Sequence, residues 1–152
     1  MEAVQTLGRH VALVLIATGS QDGYAEGPGI NRLLKKQDIM DQSTFDRLAT
    51  ALLERFFDRI DADLGDDIDV DYEAGILTLK FADGRTYLLN KHAPNREIWL
   101  SSPVSGAWHF AYVAADDVWR STRPVAQGPD DLVAMLQAEL AALTGGAVDL
   151  IE

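Results

Sequence analysis

The stretch DIDVDYEAGILTLKFADGRTYLLN, residues 67–90, decides the fold. Within it Ile68, Val70 and Tyr72 alternate with Asp67, Asp69, Asp71 and Glu73, the period of two that turns apolar side chains to one face of a strand and acids to the other. Ala74-Gly75 offers a turn, residues 76–81 read as a second strand, Asp83-Gly84 is a two-residue hairpin signal, and residues 86–90 read as a third strand. Tight hairpins join antiparallel neighbours, so a meander is expected here.

Beyond Ala93-Pro94-Asn95 come three more short strand candidates, 97–101, 108–113 and 118–120, separated by Pro103 and Gly106 and by Asp116-Asp117. The sheet should therefore hold five to seven strands. Upstream, Ser43, Thr44 and Asp46 supply capping chemistry for a run with apolar residues at Phe45, Leu48, Ala49, Leu52, Phe56 and Ile60, which predicts an amphipathic helix over about 43–62. Downstream, Gly128-Pro129-Asp130 opens a second helix with Leu132, Val133, Leu136, Leu140 and Leu143 on its apolar side, and Gly145-Gly146 stops it. Two amphipathic helices flanking a meander bury their stripes by packing, roughly parallel, on one face of the antiparallel sheet. The expected fold is an α+β two-layer sandwich whose other sheet face meets solvent.

The whole chain of 152 residues carries 13 basic and 24 acidic side chains and no cysteine. That length suits one compact domain. Without cysteine there is no thiol nucleophile, no redox pair and no iron–sulfur cluster held on the chain's own thiolates. A net charge of −11 argues against DNA, RNA and anionic membranes as partners, and favours cations and basic protein surfaces. Residues 1–39 are balanced, with Glu2, Asp22, Glu26 and Asp38 against Arg9, Arg32, Lys35 and Lys36, so the excess acid lies in residues 40–152. The apolar run 11–17 is far short of the ~20 residues of a membrane helix. Its flanks suit neither a signal peptide nor a transit peptide. Residues 1–39 read as a flexible extension or as an upstream start with Met40 the true one, and residues 40–152 as the folded domain.

Residues 58–73 contain eight acids, Asp58, Asp61, Asp63, Asp66, Asp67, Asp69, Asp71 and Glu73, against the single base Arg59. On the helix, Glu54, Asp58 and Asp61 fall within about 60° of arc opposite the apolar stripe. On the strand, Asp67, Asp69, Asp71 and Glu73 share a face. Like charges so spaced repel by a few tenths of a kcal/mol per pair, so folding alone does not favour the pattern. Carboxylates are hard oxygen ligands for Mg, Ca, Mn or iron, and without histidine or calcium-loop spacing they predict open, weak, partly hydrated sites.

In the segment 90–103, alternation sends Ile98 and Leu100 inward and Trp99 to the open sheet face, where a tryptophan among Asn90, Asn95 and Arg96 resembles a binding hot spot. Trp108 and Trp119 are expected in the core, and His92 and His109 as ordinary surface or packing residues. No G-x-S-x-G, G-x-x-x-x-G-K-[ST] or G-x-G-x-x-G occurs, and so many mutually exposed acids offer no means of raising one carboxyl selectively, so no catalytic residues are expected.

Over residues 40–145 the chain resembles the frataxin family, including its bacterial CyaY-like branch. The likeness is carried by the acid-studded first helix, Asp67-Ile68-Asp69-Val70, Gly75-Ile76-Leu77-Thr78-Leu79, Tyr87-Leu88-Leu89, and above all the run N-K-x-x-P-N-x-x-I-W-L-S-S-P from Asn90 to Pro103 with Ser105-Gly106. The resemblance implies an iron-binding protein of iron–sulfur cluster biogenesis that docks on cysteine desulfurase and its scaffold and changes the rate of cluster assembly. It implies weak, reversible binding of Fe2+ and Fe3+ on Glu54, Asp58, Asp61, Asp63, Asp66, Asp67, Asp69 and Asp71, and partner contacts through Trp99 and Asn90, with Asn95 and Arg96 beside them. The alternative is a ferroxidase or iron-storage protein using the same carboxylates, with iron-driven oligomers in place of a monomer. A bacterial cytoplasm is expected, or a mitochondrial matrix for a eukaryotic chain. His92 stands where relatives often carry glutamine, Glu97 likewise, and His109 where many eukaryotic members have arginine.

Overall fold

The computed structural model describes residues 40–151, and the extension 1–39 lies outside the described residues. Two helices and six strands follow in the order α1 (Gln42–Leu64), β1 (Ile68–Glu73), β2 (Ile76–Phe81), β3 (Thr86–His92), β4 (Glu97–Ser102), β5 (Gly106–Val113), β6 (Val118–Ser121) and α2 (Leu132–Thr144). The strands form one antiparallel meander with spatial order equal to chain order.

Helix α1 buries Phe45, Ala49, Leu53, Phe56, Ile60 and Leu64, an unbroken stripe at steps of three and four. Its cap is Asp41 rather than the expected Ser43, Thr44 or Asp46. Asp41 is extended (φ −70, ψ 161), which lets its carboxylate accept from the Thr44 amide at 2.9 Å, while the Ser43 and Thr44 hydroxyls also donate to it. At the far end the Gly65 amide donates to the Asp61 carbonyl at 2.9 Å. A Cβ at Gly65 would lie 2.3 Å from that same oxygen, so the sharp exit from helix to β1 requires glycine.

The β1–β2 turn has Ala74 (φ 52) and Gly75 (φ 79) both left-handed, the two-residue hairpin expected. The β2–β3 loop differs. Phe81 and Arg85 close it, with the Phe81 amide on the Arg85 carbonyl and the Gly84 amide on the Phe81 carbonyl, each at 2.9 Å, so it has three residues with Gly84 left-handed at φ 90. The extra loop residue, Ala82, shifts the register by one from that of a two-residue turn, and so sets Leu79 opposite Tyr87 and Leu77 opposite Leu89, all four facing the core.

Both helices contribute to a single core. Leu77 and Leu79 of β2, Tyr87 and Leu89 of β3, Ile98 and Leu100 of β4, Phe110 of β5 and Trp119 of β6 meet the α1 stripe and Leu132, Met135, Leu136 and Leu140 of α2. Both helices therefore cover the same sheet face. Trp119 is buried as expected, whereas Trp108 only packs against the core's edge, with the Arg123 guanidinium 4.0 Å above its ring. Asp131 caps α2, one residue later than Asp130, and Gly145, at φ 73, ends it. Lys91 ties β3 to α1 through Thr50 Oγ1 at 3.0 Å. Glu139 of α2 accepts from Tyr87 Oη at 2.9 Å, Ser102 Oγ at 2.6 Å and Ser105 Oγ, and so joins that helix to β3 and to the β4–β5 turn.

Candidate functional site

The exposed residues of α1 include Glu54, Asp58, Asp61 and Asp63. Gly65 to Asp67 form the turn, so Asp66 and Asp67 belong to a loop, and Asp67 is not the first residue of the strand face. Asp69, Asp71 and Glu73 are exposed on β1. Asp66, Asp67 and Asp69 converge on an open hollow of about 460 Å³ with Lys80, the register partner of Asp69, on its rim. Glu54 and Asp58 border a different hollow, about 440 Å³, shared with Arg55 and Arg59. Asp61, Asp63 and Asp71 line neither. Among the described residues no three acids or histidines converge closely enough to enclose a metal ion. Such carboxylates can hold a cation through one or two oxygens and water, exchanging it freely.

The register extends the site across the open sheet face. Glu73, Ile76, Asn90, Trp99 and His109 stand in one row across β1 to β5. The β1 acids and Trp99 thus share one face, with Glu73 three strand spacings or ~14 Å from Trp99 and Asp71 and Asp69 successively farther along the strand. Ile76 and Leu88, both large and exposed, lie on it between them.

Trp99 sits on the open face as expected, but it is half-buried rather than free. His92 stacks on one side of the indole with ring centroids 3.9 Å apart and planes 10° from parallel, and His109 stacks on the other at 4.3 Å and 7°. The indole Nε1 donates to Glu97 Oε2 at 2.9 Å. The same oxygen accepts from Asn95 Nδ2 at 3.3 Å and lies 3.8 Å from His109 Nδ1. Asn90 is the register partner of Trp99, and Asn95 and Arg96 occupy the β3–β4 turn, with Arg96 left-handed at φ 55. The four residues expected to meet a partner therefore form one neighbourhood.

The sequence reading takes His92 and His109 as ordinary surface or packing residues and Glu97 as a departure from the family pattern, without placing any of them on Trp99, and it does not single out Glu139. The two histidines are 17 positions apart, and only the pairing of β3 with β4 and of β4 with β5 puts both against Trp99. Their signal was alternation: His92, Trp99 and His109 all carry outward parity once the strands are aligned.

These features define a small two-layer α+β domain with an acid-studded helix–strand corner and a tryptophan-centred open sheet face. Residues 38–146 match the model of the frataxin-like domain. The chain is 35% identical over 117 residues to a mitochondrial frataxin of Arabidopsis thaliana, covering 74% of this chain and 60% of that protein. It is 34% identical over 114 residues to the iron–sulfur cluster assembly protein CyaY of Neisseria meningitidis serogroup C, covering 75% of this chain and 99% of that one. Among solved structures, frataxin from Psychromonas ingrahamii aligns with a TM-score of 0.63 at 26% identity, over 74% of this chain and 100% of that chain. A trimeric frataxin from Saccharomyces cerevisiae, in a ferrous complex, aligns at 0.52 and 29%, over 72% and 90%. The chain belongs to the frataxin-like domain family.

Proposed function

We propose that this protein carries iron loosely on its acidic ridge and serves as an adaptor in iron–sulfur cluster assembly. The observation that carries this reading is the 34% identity across 99% of a relative named for cluster assembly. The chemistry of the ridge supports it. Glu54, Asp58, Asp61, Asp63, Asp66, Asp67, Asp69 and Asp71 are all exposed, hard-oxygen donors, and their dispersal suits a cargo ion that must be released. The same negative surface would attract the basic surface of a cysteine desulfurase, while Trp99, Asn90, Asn95 and Arg96 touch the scaffold protein. Residues 40–152 form the working domain in this reading, residues 1–39 an extension to it, and the setting is a bacterial cytoplasm.

The test is an amide NMR titration of the labelled full chain with the cognate cysteine desulfurase, with and without anaerobic Fe(II). Shifts and broadening over residues 54–71 and the strand around Trp99 are expected. Fe(II) perturbing the ridge while desulfurase leaves every resonance unchanged would refute the adaptor role. Oxygen consumption with Fe(II) that is lost on substitution of Asp58 and Asp61 would then support a ferroxidase.

A further inference from the structure

Each tryptophan of the chain has a different environment, and the differences bear on how readily each ring gives up an electron. Removing an electron from an indole leaves a cation whose N–H is strongly acidic. The ring that oxidises most easily is the one with a base on its N–H, electron-rich neighbours on its faces and no positive charge nearby. Trp99 has the first two, and among the described residues no guanidinium lies over its ring. Its Nε1–H points at the Glu97 carboxylate at 2.9 Å, and imidazole rings cover both faces at 3.9 and 4.3 Å.

Trp108 has the opposite surroundings. Its Nε1–H meets the Ser105 hydroxyl, a poor base, at 2.8 Å, and the Arg123 guanidinium lies 4.0 Å over its ring, where it would repel a ring cation. Trp119 is 5% exposed, with Phe45 edge-on and Tyr112 tilted against it, and is shielded from any oxidant in solution. Tyr112, whose hydroxyl donates to Asp117, is another aromatic O–H or N–H with a carboxylate partner, but neither face of its ring carries a parallel stacked neighbour. The chain has no cysteine thiol to compete for a one-electron oxidant.

We propose that Trp99, with Glu97 as its proton acceptor and His92 and His109 as its stacking partners, is a one-electron redox site on the open sheet face. A radical oxidant such as the carbonate radical takes one electron from the indole and leaves as carbonate. The Nε1–H bond breaks as the proton moves to Glu97 Oε2, where an O–H bond forms. The product is a neutral indolyl radical beside a carboxylic acid, and no net charge is created on the protein beyond the electron lost. A one-electron donor of the thiol or ascorbate class restores the indole as Glu97 returns the proton. Only the source of the oxidant rests on the iron-carrying reading, because ferrous iron, hydrogen peroxide and bicarbonate generate carbonate radical. The site itself does not depend on it.

The test uses the full chain at pH 8, above the range in which imidazole ordinarily gains its proton. Azide radical made by radiolysis, without iron or oxygen, supplies the one-electron oxidant. A nitroso spin trap adds to the ring radical, and peptide mass mapping locates the adduct. Adduct on Trp99 should exceed that on Trp108, Trp119 and Tyr112 at least fivefold. Glu97→Gln keeps an acceptor for the N–H but cannot take its proton, so it should lower the Trp99 share at least threefold with the circular dichroism unchanged. Labelling of Trp108 or Tyr112 equal to that of Trp99, or an unaltered Trp99 share in Glu97→Gln, would overturn the proposal. A second arm with Fe(II), peroxide and bicarbonate separates the two readings. Trp99 labelling by azide radical but not by the iron mixture leaves the redox site standing and removes iron as its oxidant source.

Discussion

Replacing Glu139 by alanine should be among the most damaging single changes that leave the apolar core untouched. Its carboxylate accepts from Tyr87 Oη, Ser102 Oγ and Ser105 Oγ, which come from β3, β4 and the β4–β5 turn. Hydrogen bonds to a charged group contribute roughly 1.5–3 kcal/mol each, but they do not add here. Ser105 is exposed and turns to water at little cost, and Ser102 Oγ still accepts the Val104 and Ser105 amides at 3.0 Å. Tyr87 is fully buried, and its hydroxyl would be stranded. One stranded hydroxyl at about 1–3 kcal/mol plus the lost bond from Ser102 gives a loss of about 2–4 kcal/mol. For a domain of roughly a hundred residues this lowers the melting temperature by about 10–15 °C. Urea unfolding of wild type, Glu139→Ala, Tyr87→Phe and the double variant measures it as a cycle. The coupling between the two positions should be at least ~1 kcal/mol with equal m-values. A Glu139→Ala loss below ~0.5 kcal/mol, or strict additivity with Tyr87→Phe, would refute the reasoning. Glu139→Gln should recover about half the loss, since its amide oxygen still accepts one donor while its NH2 faces the others.

The Tyr87 phenol is pushed above its ordinary range first by burial and then by the hydrogen bond to Glu139, so the folded state keeps its proton when the unfolded state has lost it. Stability should therefore be flat to about pH 9.5 and fall above pH 10, with a gentler slope in Tyr87→Phe, as denaturant midpoints against pH will report. Asp41→Ala should lower the melting temperature and Ser43→Ala move it much less, because Asp41 is the acceptor of the capping bond. Asp41's carboxyl is held well below its ordinary range, foremost by the Ser43 hydroxyl and then by the Thr44 amide, so its contribution persists down to about pH 4 and is lost only in stronger acid. Asp67→Lys should weaken desulfurase binding in calorimetry and leave unfolding unchanged. Asp69→Lys should weaken it equally but also cost up to ~1 kcal/mol of stability, because it sets a like charge directly opposite Lys80.

What the sequence disclosed and what it hid follow a physical line. Alternation from Ile68 to Tyr72 and the steps of three and four from Phe45 to Ile60 are local consequences of burying one face, and both elements lie where the pattern puts them. The cap on Asp41 rather than on Ser43, two residues on, is a choice among near-equivalent local solutions. The three-residue loop at Ala82 is not, because only its register sets Leu77 and Leu79 opposite Leu89 and Tyr87 on the core face. Glu139 was invisible for another reason. It occupies an ordinary polar position of a helix, and its partners stand 34 to 52 residues away, where only the assembled layers reveal them.

The register also divides the acidic run between two faces. Asp69, Asp71 and Glu73 lie on the open sheet face with Trp99, whereas Glu54 and Asp58 project from the helix layer beside Arg55 and Arg59. A rigid partner seated on the sheet face meets the β1 acids ~14–20 Å from Trp99, within one standard interface, and reaches the helix acids only by wrapping around the β1 edge. Neutralising Asp71 and Glu73 together should then slow association with a basic partner and steepen nothing else, while neutralising Glu54 and Asp58 should lower Fe(II) uptake and leave that association rate nearly intact. Stopped-flow binding at two ionic strengths, set beside anaerobic Fe(II) titration of the same variants, decides it. If both pairs alter both measurements equally, the ridge acts as one undivided field and the two faces of the corner are not functionally distinct.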